Sequence, residues 1–155
     1  MIPFVTVPEN SKTLINLHFM IKTALITGAT SGIGKATATL LAQNNFKIVL
    51  CGRRKDRLEA LEKELSAFTA VHHLCFDVRD KKAVFESIAS LPEAFSDIDI
   101  LVNNAGNAHG LDSIQNGDMD DWDAMIDINV KGLLYVSKAI IPKMIAKESG
   151  HIINI

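Results

Sequence analysis

The stretch that decides the fold is Thr23-Ala24-Leu25-Ile26-Thr27-Gly28-Ala29-Thr30-Ser31-Gly32-Ile33-Gly34. An apolar run that favours β structure meets three glycines, and a helical pattern begins directly after them. Backbone N–H groups at a helix N-terminus point outward, and the helix dipole favours an anion there. Glycine is needed because a Cβ would keep a pyrophosphate away from the backbone. The stretch predicts a dinucleotide phosphate site, although its spacing, Gly-x-x-x-Gly-x-Gly, also suits a plain flexible turn.

The composition limits the classes of protein to consider. The 155 residues are 48% hydrophobic with a net charge of −2, which suits one globular domain. The charges do not form a basic surface for nucleic acid, and no apolar run reaches the roughly 18 residues of a membrane span. We therefore expect neither nucleic acid nor a membrane as a partner. Cys51 and Cys75 each end an apolar run. We therefore expect two buried free thiols and a cytoplasmic location. No metal-ligand spacing occurs.

Strands and helices alternate from Lys22 onward. The predicted strands are Thr23–Thr27, Lys47–Cys51, Val71–Phe76, Ile98–Val102 and His151–Ile155. The predicted helices are Gly32–Asn44, Lys55 to about Phe68, a third capped by Asp80 and a long one from Asp118 to about Lys147. In the first helix, the apolar residues expected to face inward are Ile33, Ala36, Leu40 and Leu41. This alternation predicts an α/β fold of the Rossmann type: a doubly wound parallel sheet in the order 3-2-1-4-5, ending after the fifth strand.

The pattern also predicts how the chain is organised. Residues 1–20 fit none of the alternation, and we expect them to be a disordered or upstream extension. Residues 21–155 form an incomplete nucleotide-binding domain. Ligands of such sheets bind beyond the carboxyl ends of the strands, where the strand order reverses. The residues expected to hold the phosphates there are Gly28, Thr30, Ser31, Gly32, Ile33 and Gly34.

The end of the second strand carries two positive charges. An NAD site usually places Asp or Glu there to hold the ribose 2′-hydroxyl, but this chain has Arg53 and Arg54. Guanidinium groups suit a 2′-phosphate, so the sequence predicts NADP, with Arg53 as the principal contact. The alternative is a solvated helix start, although cations are unfavourable at a helix N-terminus.

Two further strand ends supply polar groups. Asp77, with Val78 beside it, can accept a hydrogen bond from an adenine amino group, or it can simply cap a turn. After the fourth strand, Asn103-Asn104-Ala105-Gly106 is small enough for the chain to pass close to a ribose. We expect Asn104, Ala105 and Gly106 to contact the cofactor. Alternatively, the Asn side chains can join the fourth strand to its neighbours, and the same four residues also make a good turn.

These motifs together resemble the short-chain dehydrogenase/reductase family of the classical type. The matching residues, in order, are Thr27-Gly28, Gly32, Gly34, Asp77-Val78, Asn103-Asn104-Ala105-Gly106 and Asn129. The resemblance covers about Lys22 to Ile155 and implies a nicotinamide cofactor and hydride transfer. It also implies that Asn129 is the active-site Asn, which opens the long helix and holds a water in a proton relay. Without the family, Asn129 is an ordinary polar helix residue.

A closer likeness is to the NADP-dependent branch that acts on small 3-hydroxy acids, including serine. It runs through Asp121-Trp122, Met125-Ile126-Asp127, Lys131-Gly132-Leu133 and the segment from Gly150 to Ile155. The resemblance implies a small-molecule substrate and a homo-oligomer through the helix at about 119–147.

The same resemblance places a catalytic Ser after the fifth strand and a Tyr-x-x-x-Lys on the next helix. The only tyrosine here is Tyr135, and Lys138 follows it by three residues rather than four. We therefore expect Tyr135 to be structural. The chain as written is expected to be inactive alone, and a non-catalytic NADP(H)-binding module is the alternative function.

Overall fold

A five-stranded parallel sheet forms the centre of the molecule in a computed structural model that describes residues 21–110 and 112–155. The strands follow the order β3-β2-β1-β4-β5, as the sequence predicts. The strands are β1 (Thr23–Thr27), β2 (Lys47–Gly52), β3 (Val71–Cys75), β4 (Ile100–Asn103) and β5 (His151–Asn154). The helices are α1 (Gly32–Gln43), α2 (Lys55–Leu65), α3 (Lys81–Ala89), α4 (Met119–Ile126) and α5 (Leu133–Ala146). The predicted extension, residues 1–20, lies outside the described residues.

The central strand β1 is the most deeply buried element, with all five residues inaccessible or nearly so. Leu25 pairs with Val49 of β2 on one side and with Leu101 of β4 on the other. Strands covered on both faces read as continuous apolar runs, which explains the Ala-Leu-Ile sequence of β1. The strand order reverses between β1 and β4, and the loops that leave these strands frame the site.

Two apolar layers cover the sheet. On one face, α1 and α2 pack on β1 and β2 through residues that include Ala38 and Ala42 of α1 and Leu58, Leu61 and Leu65 of α2. On the other face, α3 and α5 enclose Leu25, Leu101 and their neighbours, with Val84 and Ile88 from α3 and Val136 and Ile140 from α5. Helices on both faces of a parallel sheet complete the doubly wound architecture.

The predicted inward face of α1 is wrong. Ile33 and Leu40 are 59% and 62% exposed, and Ala36 is exposed too. The buried row is instead Gly34, Ala38 and Ala42, at intervals of four residues. Small side chains let this helix approach the sheet closely, and that places its first turn next to the end of β1. Only Leu41, of the predicted face, packs against the core.

Three other predictions need correction. Cys51 is buried as expected, but Cys75 is exposed because it ends β3, an edge strand of the sheet. The fourth strand starts at Ile100, two residues later than predicted, and the second helix ends at Leu65 instead of Phe68. The long helix begins after Asp118, whose side chain caps it, and a π-helical turn at Asp127–Gly132 divides it into α4 and α5 around Asn129, the residue that the family resemblance expects to open this helix.

The strand β5 lies at the opposite edge of the sheet, where, among the described residues, it pairs only with β4. All four of its residues are exposed, and so is Ile155, as expected for an uncovered edge. Within the described residues, no helix has both the length and the apolar character that a membrane span requires.

Candidate functional site

A cleft of about 620 Å³ opens at the carboxyl ends of the strands, beside the point where the strand order reverses. Nearly every residue predicted to bind the cofactor lines it. The residues from the prediction are Gly28, Thr30, Ser31, Gly32, Ile33, Arg53, Arg54, Asp77, Val78, Asn104, Ala105 and Gly106. Gly34 lies beneath the cleft instead, and Asn129 lies outside its lining. Gly52, Phe76 and Ile128 line the cleft without having been predicted.

The loops after β1 and β4 are joined by hydrogen bonds around Thr27, which is 2% exposed. The Thr27 hydroxyl accepts from the backbone N–H groups of Asn104 and Ala105, both at 3.0 Å. In the other direction, the Asn104 side-chain amide donates to the carbonyl oxygens of Thr27 at 3.0 Å and Gly28 at 3.2 Å. These bonds satisfy the polar backbone at the strand ends and fix the floor of the cleft.

The glycines at this junction are required by close approach. A Cβ on Gly28 would lie 2.8 Å from the Asn104 side-chain nitrogen, and Gly28 also has a φ of +64°. A Cβ on Gly34 would collide with the Gly28 carbonyl and with Asn104. Because Asn104 fills the space that a side chain would take, the turn, α1 and the β4 loop form one compact unit.

The N-terminus of α1 faces the cleft without a side-chain cap. Ser31 occupies the capping position but its hydroxyl makes no capping bond, and the first turn contains no acidic residue. By contrast, Asp80 caps α3 and Asp118 caps α4. Uncapped N–H groups and the positive end of the helix dipole suit a bound anion. This 12-residue helix thus has the properties that the sequence predicts for a phosphate site.

The two arginines after β2 lie on the cleft wall in different ways. Arg54 donates to the hydroxyl groups of Thr30 at 2.7 Å and Ser31 at 3.1 Å, so its guanidinium is tied to the glycine turn. Arg53 is more than half exposed and reaches the Asp77 carboxylate at 3.4 Å. Arg53 is therefore the more available of the two for a ligand in the cleft.

Asp77 is held by a residue that the sequence analysis did not single out. Arg79 donates from Nε, at 3.1 Å, and from its terminal nitrogen, at 2.7 Å, and its backbone N–H also bonds to the carboxylate at 3.0 Å. Burial alone raises the pKa of Asp77, but the bonds and charge of Arg79, with a contribution from Arg53, outweigh it and lower that pKa below its ordinary value. The carboxylate is thus held in its charged form.

Asn129 lies in the π-helical turn, where the regular helical bonding is interrupted. Its side-chain oxygen accepts from the backbone N–H of Asn107 at 2.9 Å, and its side-chain nitrogen donates to the Asn107 carbonyl at 2.8 Å. Asn129 therefore joins the helix to the loop after β4. A Cβ on Gly106 would lie 2.8 Å from the Asn129 oxygen, so the glycine permits this contact.

Sequence reasoning missed the residues whose roles depend on these contacts. Thr27 entered only as the end of a strand and as part of the family motif, and Arg79 was not considered, although an Asp-x-Arg sequence after a strand is a usable signal for a local ion pair. Among the described residues, no group of three or more His, Cys, Asp or Glu could hold a metal ion.

The short chain dehydrogenase family model matches residues 22–155, and the chain belongs to this family. It is 46% identical over 131 residues to the NADP-dependent 3-hydroxy acid dehydrogenase YdfG of Salmonella typhi, covering 84% of this chain and 52% of that relative. It is 45% identical over 133 residues to the serine 3-dehydrogenase of Rhizobium radiobacter, covering 86% and 52%. The chain spans about half the length of these curated relatives.

Solved structures with the same fold agree with these relatives. The serine dehydrogenase of Escherichia coli superimposes with a TM-score of 0.79 at 42% identity, covering 85% of this chain and 60% of that one. A closed form of serine dehydrogenase complexed with NADP⁺ gives a TM-score of 0.80 at 42% identity, covering 85% and 52%. The fold and family expected from the motifs are therefore confirmed.

The hydroxyl of Thr27 gives a direct test of how the cleft floor is held. Thr27→Val keeps the shape of the side chain but leaves the Asn104 and Ala105 N–H groups without their acceptor. We expect the free energy of unfolding to fall by about 1–3 kcal/mol, the cost of unpaired buried donors. Thr27→Ser, which keeps the hydroxyl and loses one methyl group, is the matched control and should lose less. Denaturant titration measures both, and a serine variant less stable than the valine variant would contradict the account.

Proposed function

We propose that residues 22–155 form the cofactor-binding part of an NADP-dependent oxidoreductase. The observation that carries this proposal is the cleft itself, which combines an uncapped helix N-terminus, a glycine turn and two arginines at the end of β2. The turn would hold the pyrophosphate, and Arg53, assisted by Arg54, would hold the 2′-phosphate. Bound there, NADP would supply or accept the hydride that the family's reaction requires.

The remaining contacts in the proposal concern the adenosine and the nicotinamide ribose. Asp77 and Val78 would line the adenine, and Asn104, Ala105 and Gly106 would contact the ribose across the junction with β1. The position of all five on the cleft wall supports this assignment. Asn129 would act as a positioning residue of the proton relay, supported by the π-helical turn and by its bonds to Asn107.

The proposed substrate is a small hydroxy or carbonyl compound, with 3-hydroxy acids such as serine as the class. The support is similarity to relatives described as an NADP-dependent 3-hydroxy acid dehydrogenase and a serine 3-dehydrogenase. The matched residues of this chain cover only 52% of each of these relatives, so the substrate belongs to the proposal for the whole protein.

A homo-oligomer and a cytoplasmic location complete the proposal. Ile126, Val130 and Leu134 are 46–57% exposed at four-residue intervals along α4, the π-helical turn and α5. Such a row of apolar side chains supports pairing through this helical face. Cys51 and Cys75 are both free thiols, which supports a reducing compartment.

Arg53→Asp tests the proposed cofactor preference. Replacing a guanidinium that bonds the 2′-phosphate removes about 1.5–3 kcal/mol of charge-assisted bonding, so NADP⁺ affinity should fall at least about tenfold. Affinity for NAD⁺ should fall much less. Calorimetric titration of both cofactors measures the preference. Arg57→Asp makes the same charge change at an exposed α2 residue outside the cleft and should keep the preference. An unchanged preference in Arg53→Asp would refute the role of Arg53.

A second prediction concerns turnover by the 155-residue polypeptide. Tyr135, its only tyrosine, packs against the apolar core and does not line the cleft. A tyrosine outside the cleft cannot serve as the general acid–base group for a substrate bound there, and such a group contributes about 10²–10⁴-fold to the rate of these reactions. We therefore expect purified residues 1–155 to bind NADPH without oxidising it in the presence of 3-oxo acids or other small carbonyl compounds. Loss of NADPH absorbance above the protein-free rate would show the prediction to be wrong.

A further inference from the structure

Asp77 lies between two arginines that approach it from different sides. Asp77 and Arg53 both line the cleft, and their closest atoms are 3.4 Å apart. Arg79 does not line the cleft, and its closest contact with the carboxylate is 2.7 Å. Arg79 binds through two side-chain nitrogens and a backbone N–H, whereas Arg53 makes a single long contact. The carboxylate charge is therefore balanced mainly from outside the cleft.

This arrangement matters for an anion bound beside Arg53. A free Asp77 carboxylate would repel a phosphate in the same cleft and would compete with it for the Arg53 guanidinium. The two-pronged pairing with Arg79 occupies the carboxylate and orients it. Because Asp77 is only one-quarter exposed, solvent screens its charge less than it screens the charges of fully exposed residues. Arg53 is left with one weak contact and an exposed guanidinium.

We propose that Arg79 determines cofactor specificity without touching the cofactor, by balancing Asp77 so that Arg53 stays available for the 2′-phosphate. The inference rests on the proposed NADP role of Arg53 and adds a positioning residue behind it. It concerns only the cofactor that carries the extra phosphate. NAD⁺, which has a hydroxyl at that position, gains nothing from Arg53 and should be insensitive to Arg79.

The test is a double-mutant cycle on the full 155-residue chain, with dissociation constants for NADP⁺ and NAD⁺ measured by calorimetry. In Arg79→Met we expect NADP⁺ binding to weaken by about tenfold, the factor for ~1.4 kcal/mol, and NAD⁺ binding by less than about twofold. Asp77→Asn removes the charge that Arg79 balances. In that background, Arg79→Met should change NADP⁺ binding by less than about twofold, because interacting sites are non-additive.

Two further variants separate the effect from a loss of structure. Lys82→Met removes an equal charge from an exposed ion pair on α3 and should leave both affinities unchanged. Arg79→Lys keeps the charge without the two-pronged bond and should retain most of the preference for NADP⁺. If Arg79→Met lowers the melting temperature, Arg79→Gln takes its place in the cycle.

The outcomes are distinct. Selective loss of NADP⁺ binding that disappears in the Asp77→Asn background supports the inference. Equal loss for both cofactors, or the same loss in both backgrounds, overturns it. If Arg53→Asp abolishes the NADP⁺ preference and Arg79→Met does not reduce it, the inference alone fails. If the unmodified chain does not prefer NADP⁺, the proposed function fails, and the inference fails with it.

Discussion

The structure depends on how the ends of two neighbouring strands are held together. β1 and β4 run parallel, but their connections leave in different directions, so their last backbone groups have no regular partners. Thr27 and Asn104 supply them through reciprocal bonds of 3.0–3.2 Å. Because Asn104 occupies the space beside Gly28 and Gly34, no side chain fits there. The position of Asn104 therefore requires glycine in the turn, and the same glycines let a ligand approach the backbone.

The charges around the cleft follow from this junction. The compact turn places the α1 N-terminus at the carboxyl ends of the strands, and Arg54 donates hydrogen bonds to Thr30 and Ser31 of the turn itself. The cation at the start of α2 is therefore compensated by local hydroxyl groups, while the positive end of α1 stays open to the cleft. Arg53, Asp77 and Arg79 form the next group outward. Their mutual pairing decides how much positive charge the cleft presents to a ligand.

Much of the fold and of the candidate site could be predicted from the sequence, because local sequence patterns determine the strands, the helices and their ends. Strand–helix alternation predicts the order of the strands. The residues that follow the strands then lie together at the carboxyl ends of the sheet, which is how Arg53, Asp77 and Asn104 were assigned to one site. The inward face of α1 was mispredicted because hydrophobicity ranks Ile33 and Leu40 above Gly34 and Ala38, whereas close packing on the sheet favours the smaller residues. Cys75 was mispredicted because its apolar neighbours in sequence were taken as a sign of burial, although the predicted strand order already placed β3 at an edge of the sheet. The role of Thr27 was missed because it depends on a contact with Asn104, 77 residues away. Arg79 was missed although its partner Asp77 is only two residues away, so a local signal was present.

The central claim is that four separate strand ends make one dinucleotide site, and amide chemical shifts on titration with NADP⁺ test it most directly. If these strand ends do make one site, the largest shifts fall in four segments: 28–34, 53–54, 77–79 and 104–107. We also expect NAD⁺ to produce weaker shifts than NADP⁺ at 53–54. Shifts confined to the exposed face of α4 and α5, or the absence of saturable shifts at 28–34, would contradict the claim.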